Sequence, residues 1–179
     1  MKYFTKALWI GAQQLAASSA DENHALWQKA IREYRAELET IKGRLPRDAL
    51  KFFTEADLHD GELLEFQVLD GSRPAPLGQP SDPWARVGGY PVRVKLTVLD
   101  ASDRFVWRVE YRVVRRAILD FPTDAPLFGH ADGGFGDWGY DELSDAGDGF
   151  LRHEVLFSSG SNLLPEFRDC AVECAEARD

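Results

Sequence analysis

The stretch FLRHEVLFSSGSNLLPEF, residues 150–167, reads as two strands joined by a Ser-Gly-Ser-Asn turn. Alternation places Leu151, Val155 and Phe157 on one inner face, and His153 with them. A histidine on an apolar face bonds a neighbour more often than it does chemistry. Just upstream, Trp138-Gly-Tyr-Asp-Glu-Leu143 is a short strand or turn dense in aromatics and acids.

Working outward, residues 92–99 alternate Val92, Val94, Leu96 and Val98 against Arg93, Lys95 and Thr97. Asp100-Ala-Ser-Asp103 supplies turn chemistry, and residues 105–114 alternate again. One face is apolar and one is wet, so the pairing is antiparallel. Residues 62–69 read as a further strand, with Leu64, Phe66 and Val68 on one face. Residues 168–177 fit either an edge strand or a short helix.

The N-terminal third has helical spacing instead. A first helix takes Thr5 as its N-cap and buries Leu8, Trp9, Ala12 and Leu15. Gln13 and Gln14 interrupt its apolar run, which argues against a signal peptide. A longer helix, capped by Asp21 and ended by Gly43, carries Leu26, Trp27, Ala30, Ile31, Tyr34, Leu38 and Ile41 at steps of three and four. A third runs over residues 47–56 with Leu50 and Phe53 inward. Helices first and strands afterwards predict an α+β fold, with the N-terminal helices on one face of a mostly antiparallel β-sheet. We expect one domain over 1–179: a helical part (1–57) and a sheet part (58–179) with long loops at 70–91 and 122–137. Trp84 is expected to pin the first loop to the body.

Composition is that of a globular chain, with 44% hydrophobic and 28% charged residues. The net charge of −9 is unevenly placed. Residues 120–179 hold 3 basic and 14 acidic side chains, whereas the rest of the chain is close to balanced. An acidic surface repels nucleic-acid phosphates and anionic lipid and attracts basic proteins. Net charge of this kind also keeps a protein in solution. The expectation is a basic protein partner, no nucleic acid and no membrane; no segment reaches the roughly 18 apolar residues of a span. Cys170 and Cys174 make neither a disulfide framework nor a four-ligand metal site, and reduced thiols fit a cytoplasmic protein. No cofactor is expected.

Gly134-Phe-Gly136-Asp-Trp-Gly139 matches G-x-G-x-x-G as a string, but no helix follows and Asp132, Asp137, Asp141 and Glu142 would repel a phosphate. Of the four histidines, His24 sits early in a helix and His130 in a loop. His59-Asp60 and His153-Glu154 each set an imidazole beside a carboxylate. With Asp141 and Glu142 they form the candidate set for a divalent metal or an acid–base pair. Adjacent strand residues face opposite sides, so only one of each pair can reach a common site. Ser158, Ser159 and Ser161 lie in a turn without a nucleophile elbow. Arg112, Arg115 and Arg116 are expected to pair with the acidic third.

The opening Met-Lys-Tyr-Phe-Thr, Trp27 and Tyr34 on the long helix, Leu58-His-Asp, Tyr140-Asp-Glu and Arg152-His-Glu resemble a group of uncharacterised bacterial proteins, a domain of unknown function. The resemblance covers most of the chain and implies no particular activity. The Leu-His-Asp lead-in to a strand, with an acidic sheet, is also similar to small immunity proteins of bacterial toxin systems. That likeness implies a cytoplasmic protein that masks a toxin domain by surface complementarity. The long 70–91 loop departs from a compact version of the pattern.

Two functional expectations follow. The first is a non-enzymatic acidic protein-binding module, immunity-like, using Phe135, Asp137, Trp138, Tyr140, Asp141 and Glu142, with the aromatics as exposed anchors ringed by charge. The second is a divalent-metal-binding protein or hydrolase using His59, Asp60, His153 and Glu154. A homo-oligomer formed through the C-terminal edge is a further expectation.

Overall fold

A computed structural model describes residues 1–13, 20–56, 58–71, 92–121 and 134–177. Leu15, Trp84, His130 and most of both long loops lie outside the described residues. The helices are α1 (Lys6–Gln13), α2 (Ala20–Ile41) and α3 (Arg47–Glu55), with a 3-10 turn at Lys42–Arg44. The strands are β1 (Glu62–Asp70), β2 (Val92–Leu99), β3 (Phe105–Arg112), β4 (Arg116–Asp120), β5 (Trp138–Gly147), β6 (Phe150–Phe157), β7 (Asn162–Phe167) and β8 (Asp169–Glu176).

The α+β class stands, and the strands pair antiparallel throughout. They form not one sheet but two, in the orders β1-β2-β3-β8 and β4-β7-β6-β5. Two short joints carry the chain between them. At the first, Val113 takes a positive φ of 53°, a costly conformation for a β-branched residue. Val114 N–H then bonds Val92 O in the first sheet, and Arg115 N–H bonds Glu166 O in the second. At the second joint Arg168 separates β7 from β8, which settles residues 169–176 as a strand.

The apolar faces of the two sheets make the core. Val94, Leu96, Val98, Trp107, Val109 and Tyr111 meet Leu143, Leu151, Val155, Phe157, Leu163 and Phe167, all buried. Each such side chain contributes about 1.5–3 kcal/mol when fully buried. Phe52 and Phe53 of α3 close one end of this layer.

Thr5 caps α1 as the spacing predicts, its Oγ1 accepting Leu8 N–H at 3.2 Å. Trp9 is buried as expected, whereas Ala12, expected inward, is exposed. The α2 stripe buries Ala30, Leu38 and Ile41 but leaves Leu26 exposed. In α3 the inward residues are Ala49, Phe52 and Phe53, with Leu50 half-buried. The N-terminal segment, α1 and α2 cover the β5 end of the second sheet's outer face: Phe4, Trp9 and Trp27 all pack on the Tyr140 ring. Tyr34 Oη accepts the edge amide of Leu143, and Glu37 accepts that of Asp145, so α2 also shields the free edge of β5.

Candidate functional site

The acid-rich strand β5 lies beside β6, with Glu142 opposite Glu154, Leu143 opposite His153 and Asp141 opposite Val155. Side chains alternate, so Asp141 and His153 point into the core while Glu142 and Glu154 point outward. The candidate residues are therefore divided between two environments.

The inner group is a closed hydrogen-bond chain. Tyr111 donates its phenolic hydrogen to His153 Nδ1 at 2.6 Å. Burial first, then the nearby Cys170 and Asp141, push the phenol well above its ordinary range, so it keeps its hydrogen, and the Asp141 carboxylate, which only accepts, places the imidazole hydrogen on Nε2. With Nδ1 accepting, the imidazole proton sits on Nε2, which donates to Asp141 Oδ2 at 3.1 Å. Trp138 Nε1–H donates to the other oxygen, Asp141 Oδ1, at 3.1 Å. Hydroxyl, imidazole and carboxylate stand in the order of a nucleophile, base and orienting group. Tyr111 and His153 are both fully buried, however, with Phe52, Phe53 and Trp138 around the imidazole. Neither is open to solvent, and the chain ties the first sheet to the second.

The outer pair would repel if left alone, since like charges opposite one another destabilise a sheet. The N-terminal segment resolves this. Glu142, fully buried, accepts the backbone N–H groups of Lys2, of Tyr3 at 2.8 Å and of Phe4 at 3.2 Å. Glu154 accepts the Met1 ammonium at 2.9 Å. Both carboxylates are consumed in holding the segment down.

His59 lies in a third environment. Its Nδ1–H donates to Gly139 O at 2.7 Å, and its ring lies 4.7 Å from Tyr140. Asp60 is exposed beside it, with φ at 67°. Gly61 admits no side chain, because a Cβ would stand 2.6 Å from Leu99 O and 2.9 Å from Leu58 O. This turn joins the sheets: Asp60 N–H bonds Trp138 O, Trp138 N–H bonds Gly61 O, and Glu62 bridges Asp137. The proposed metal ligands His59, Asp60, His153 and Glu154 are thus dispersed. Among the described residues no group of three or more His, Cys, Asp or Glu is placed to hold a metal.

The exposed-anchor expectation also needs correction. Trp138 is 0% exposed, because its ring packs on Phe157 in the core. Tyr140 is half-covered by the N-terminal aromatics, Asp141 belongs to the inner chain, and Glu142 is buried. Phe135 is partly buried against the core, and Asp137 is exposed. The Phe135 ring lies 4.9 Å from Phe121, which is 52% exposed, and 5.0 Å from Phe157. Exposed carboxylates stand next to these rings in the chain, Asp120 before Phe121 and Asp137 two residues after Phe135, and the Glu62–Asp137 bridge brings exposed Glu62, with Asp60 in the adjoining turn, to Asp137.

Elsewhere the acidic third is largely neutralised. Arg115 Nε bonds buried Glu166 at 2.8 Å, Arg152 bonds its other oxygen at 2.8 Å, and Arg116 lies 3.8 Å away. Arg112 pairs with Asp169 at 3.5 Å, so the Arg112, Arg115 and Arg116 cluster does meet the acidic third. Asp145 pairs with Arg44 at 2.8 Å. A cleft of about 500 Å³ beside α3 is lined by Asp48, Lys51, Trp107, Val172, Glu173 and Cys174. Burial raises the Cys174 thiol, with Lys51 opposing, so the thiol there is not activated.

Sequence reasoning missed Tyr111, Phe121, Glu62 and Asp120. Tyr111 did leave a signal, since a tyrosine on the inner face of an alternating strand needs a polar partner. Phe121 left none, because its neighbour Phe135 is distant in the chain. No family model matches this chain, and no curated protein or solved structure matches it either.

Proposed function

We propose that the chain is a non-enzymatic binding module of the bacterial cytoplasm that takes a basic protein partner. The observation that carries this reading is the seam between the sheets. There Phe135, paired with the Phe121 ring, leads into exposed Asp137, which bridges exposed Glu62 beside Asp60, and Asp120 precedes Phe121; among the described residues none of the four carboxylates pairs with a lysine or arginine. Aromatic contacts framed by unneutralised carboxylates suit a cationic surface. The likeness to toxin-immunity proteins supplies the partner's class, a toxin domain whose basic face the seam masks. In the Tyr111–His153–Asp141 chain the hydroxyl and the imidazole are fully buried, which weighs against a hydrolase.

The test starts with capture on the immobilised chain from host lysate, at roughly 50 and 150 mM salt. The captured protein is identified, purified and titrated against wild type and a Phe135→Ala, Asp137→Lys double variant. The reading expects a salt-sensitive complex that the double variant weakens about tenfold or more, near 1.4 kcal/mol. A lysate that yields no specific partner, or a partner indifferent to both substitutions, overturns it.

A further inference from the structure

Among the described residues the outer edge of β1 is open. In the first sheet β1 pairs with β2 alone, and past the Glu62–Asp137 bridge no described residue pairs with its other side. From Glu65 to Asp70 its register against β2 is regular, so these residues present a straight run of backbone. Edge strands are ordinarily blunted by lysine, proline or a bulge. The β1 sequence, ELLEFQVLD, contains no lysine and no proline. Its one irregularity, between Leu63 and Glu65, precedes the regular run.

The side chains of β1 show the same lack of cover. Phe66 and Val68 stand opposite Leu96 and Val94, in the rows that face the second sheet. Those β2 residues are fully buried, yet Val68 is 54% exposed, and Leu64 at the bulge is 49% exposed. Among the described residues the apolar rows run to the edge and stop without a lid. One more strand would continue them and bury both side chains.

We infer that this edge binds an extended cationic segment of the partner by strand addition, with apolar residues beside Phe66 and Val68 and cations beside Glu65. The inference rests on the binding reading above and names its mode. Charge decides the occupant. Among the described residues neither Glu62 nor Glu65 pairs with a cation, and the Glu65 carboxylate accepts only from neutral Gln67 and Thr97. A second copy would bring the exposed Glu62 and Glu65 of one chain against the same acidic strand of the other and join two chains of net charge −9. A cationic strand meets no such repulsion. The Glu62–Asp137 bridge makes the edge continuous with the seam, so one partner can cover both. Main-chain bonds would supply affinity and the alternating side chains specificity.

The experiment uses the full chain and a labelled synthetic peptide of alternating lysine and valine. Its controls are an alternating glutamate–valine peptide and the lysine peptide N-methylated at every second amide. Fluorescence anisotropy reads binding, and amide hydrogen exchange reads its place. The lysine peptide is expected to bind and to protect the amides of residues 65–70, while both controls fail. Val68→Lys, at an exposed position, is expected to weaken binding at least tenfold with the fold intact by circular dichroism. Absence of binding, equal binding of the N-methylated peptide, or a dimer in light scattering that Val68→Lys dissolves overturns the inference. A captured partner that responds to Asp137→Lys but not to Val68→Lys overturns strand addition alone and leaves the binding reading standing.

Discussion

Tyr111 on β3 and His153 on β6 meet across the gap between the two sheets, hydroxyl to Nδ1, at 2.6 Å. On the other side of the ring the Asp141 carboxylate accepts from Nε2, which sets the Nε2–H tautomer and leaves Nδ1 to accept from Tyr111. Tyr111→Phe leaves Nδ1 buried without a donor and is expected to cost about 1–3 kcal/mol in urea unfolding. In wild type, nitrogen shifts of the ring should report a single Nε2–H form. A Tyr111→Phe chain as stable as wild type would remove the clamp from the account.

Gly139 and Trp9 test the seating of α1. A Cβ at residue 139 would run into the Trp9 ring and stand 2.7 Å from Leu156 O. Gly139→Ala is therefore expected to destabilise by roughly 1–3 kcal/mol, as overpacking does. Part of that cost should vanish in a Trp9→Leu background, giving a measurable coupling in a double-mutant cycle. Strict additivity would mean that the ring does not set the cost.

Glu142 gathers three backbone N–H groups into one buried carboxylate. Glu142→Gln replaces one acceptor oxygen with a donor that faces those N–H groups. The expected loss is about 1–3 kcal/mol. Hydrogen exchange at residues 2–4 should quicken well before that of β6, because the damage is local.

Glu166 sets an acid limit on stability. Burial pushes its carboxyl up, but bonds from Arg115 and Arg152 outweigh burial and hold it below the ordinary 4.5. A carboxyl lowered in the folded state contributes stability above its ordinary value and loses it as pH falls through the folded value. The urea midpoint of wild type should therefore fall more steeply below about pH 4.5 than that of Glu166→Gln. Some slope should persist in the variant, since Glu37, Asp100 and Asp145 are lowered as well.

The two thiols should separate cleanly. Burial pushes Cys170 up to about 12, with Asp169 adding and Arg112 opposing, whereas Cys174 is exposed on β8. A thiol reagent near pH 8 should label one cysteine in the native chain and two after unfolding. Two fast-reacting native thiols would contradict the placement of β8 against the core.

Much of the fold was legible locally. The β2–β3 and β6–β7 hairpins, the Thr5 cap and the long α2 stripe each rest on spacing or turn chemistry within a few residues. The division into two sheets was not legible. It turns on a left-handed Val113 and on the single residue Arg168, and neither leaves a periodic trace. The candidate site was legible as residue types but not as an arrangement. Period-2 alternation warned that His153 and Glu154 must part, yet it could not say that Glu142 would take up Lys2, Tyr3 and Phe4.

The sequence by itself determined the class, helices then antiparallel strands, and a surplus of carboxylates in the last third. Those properties depend on composition and on contacts within a hairpin or a helical turn. Tertiary structure alone decided where the carboxylates went. It gave Glu142, Glu154 and Glu166 buried partners far along the chain and left Asp60, Glu62, Asp120 and Asp137 exposed. Whether a charge is neutralised or presented depends on neighbours that folding brings together, and no local pattern encodes them.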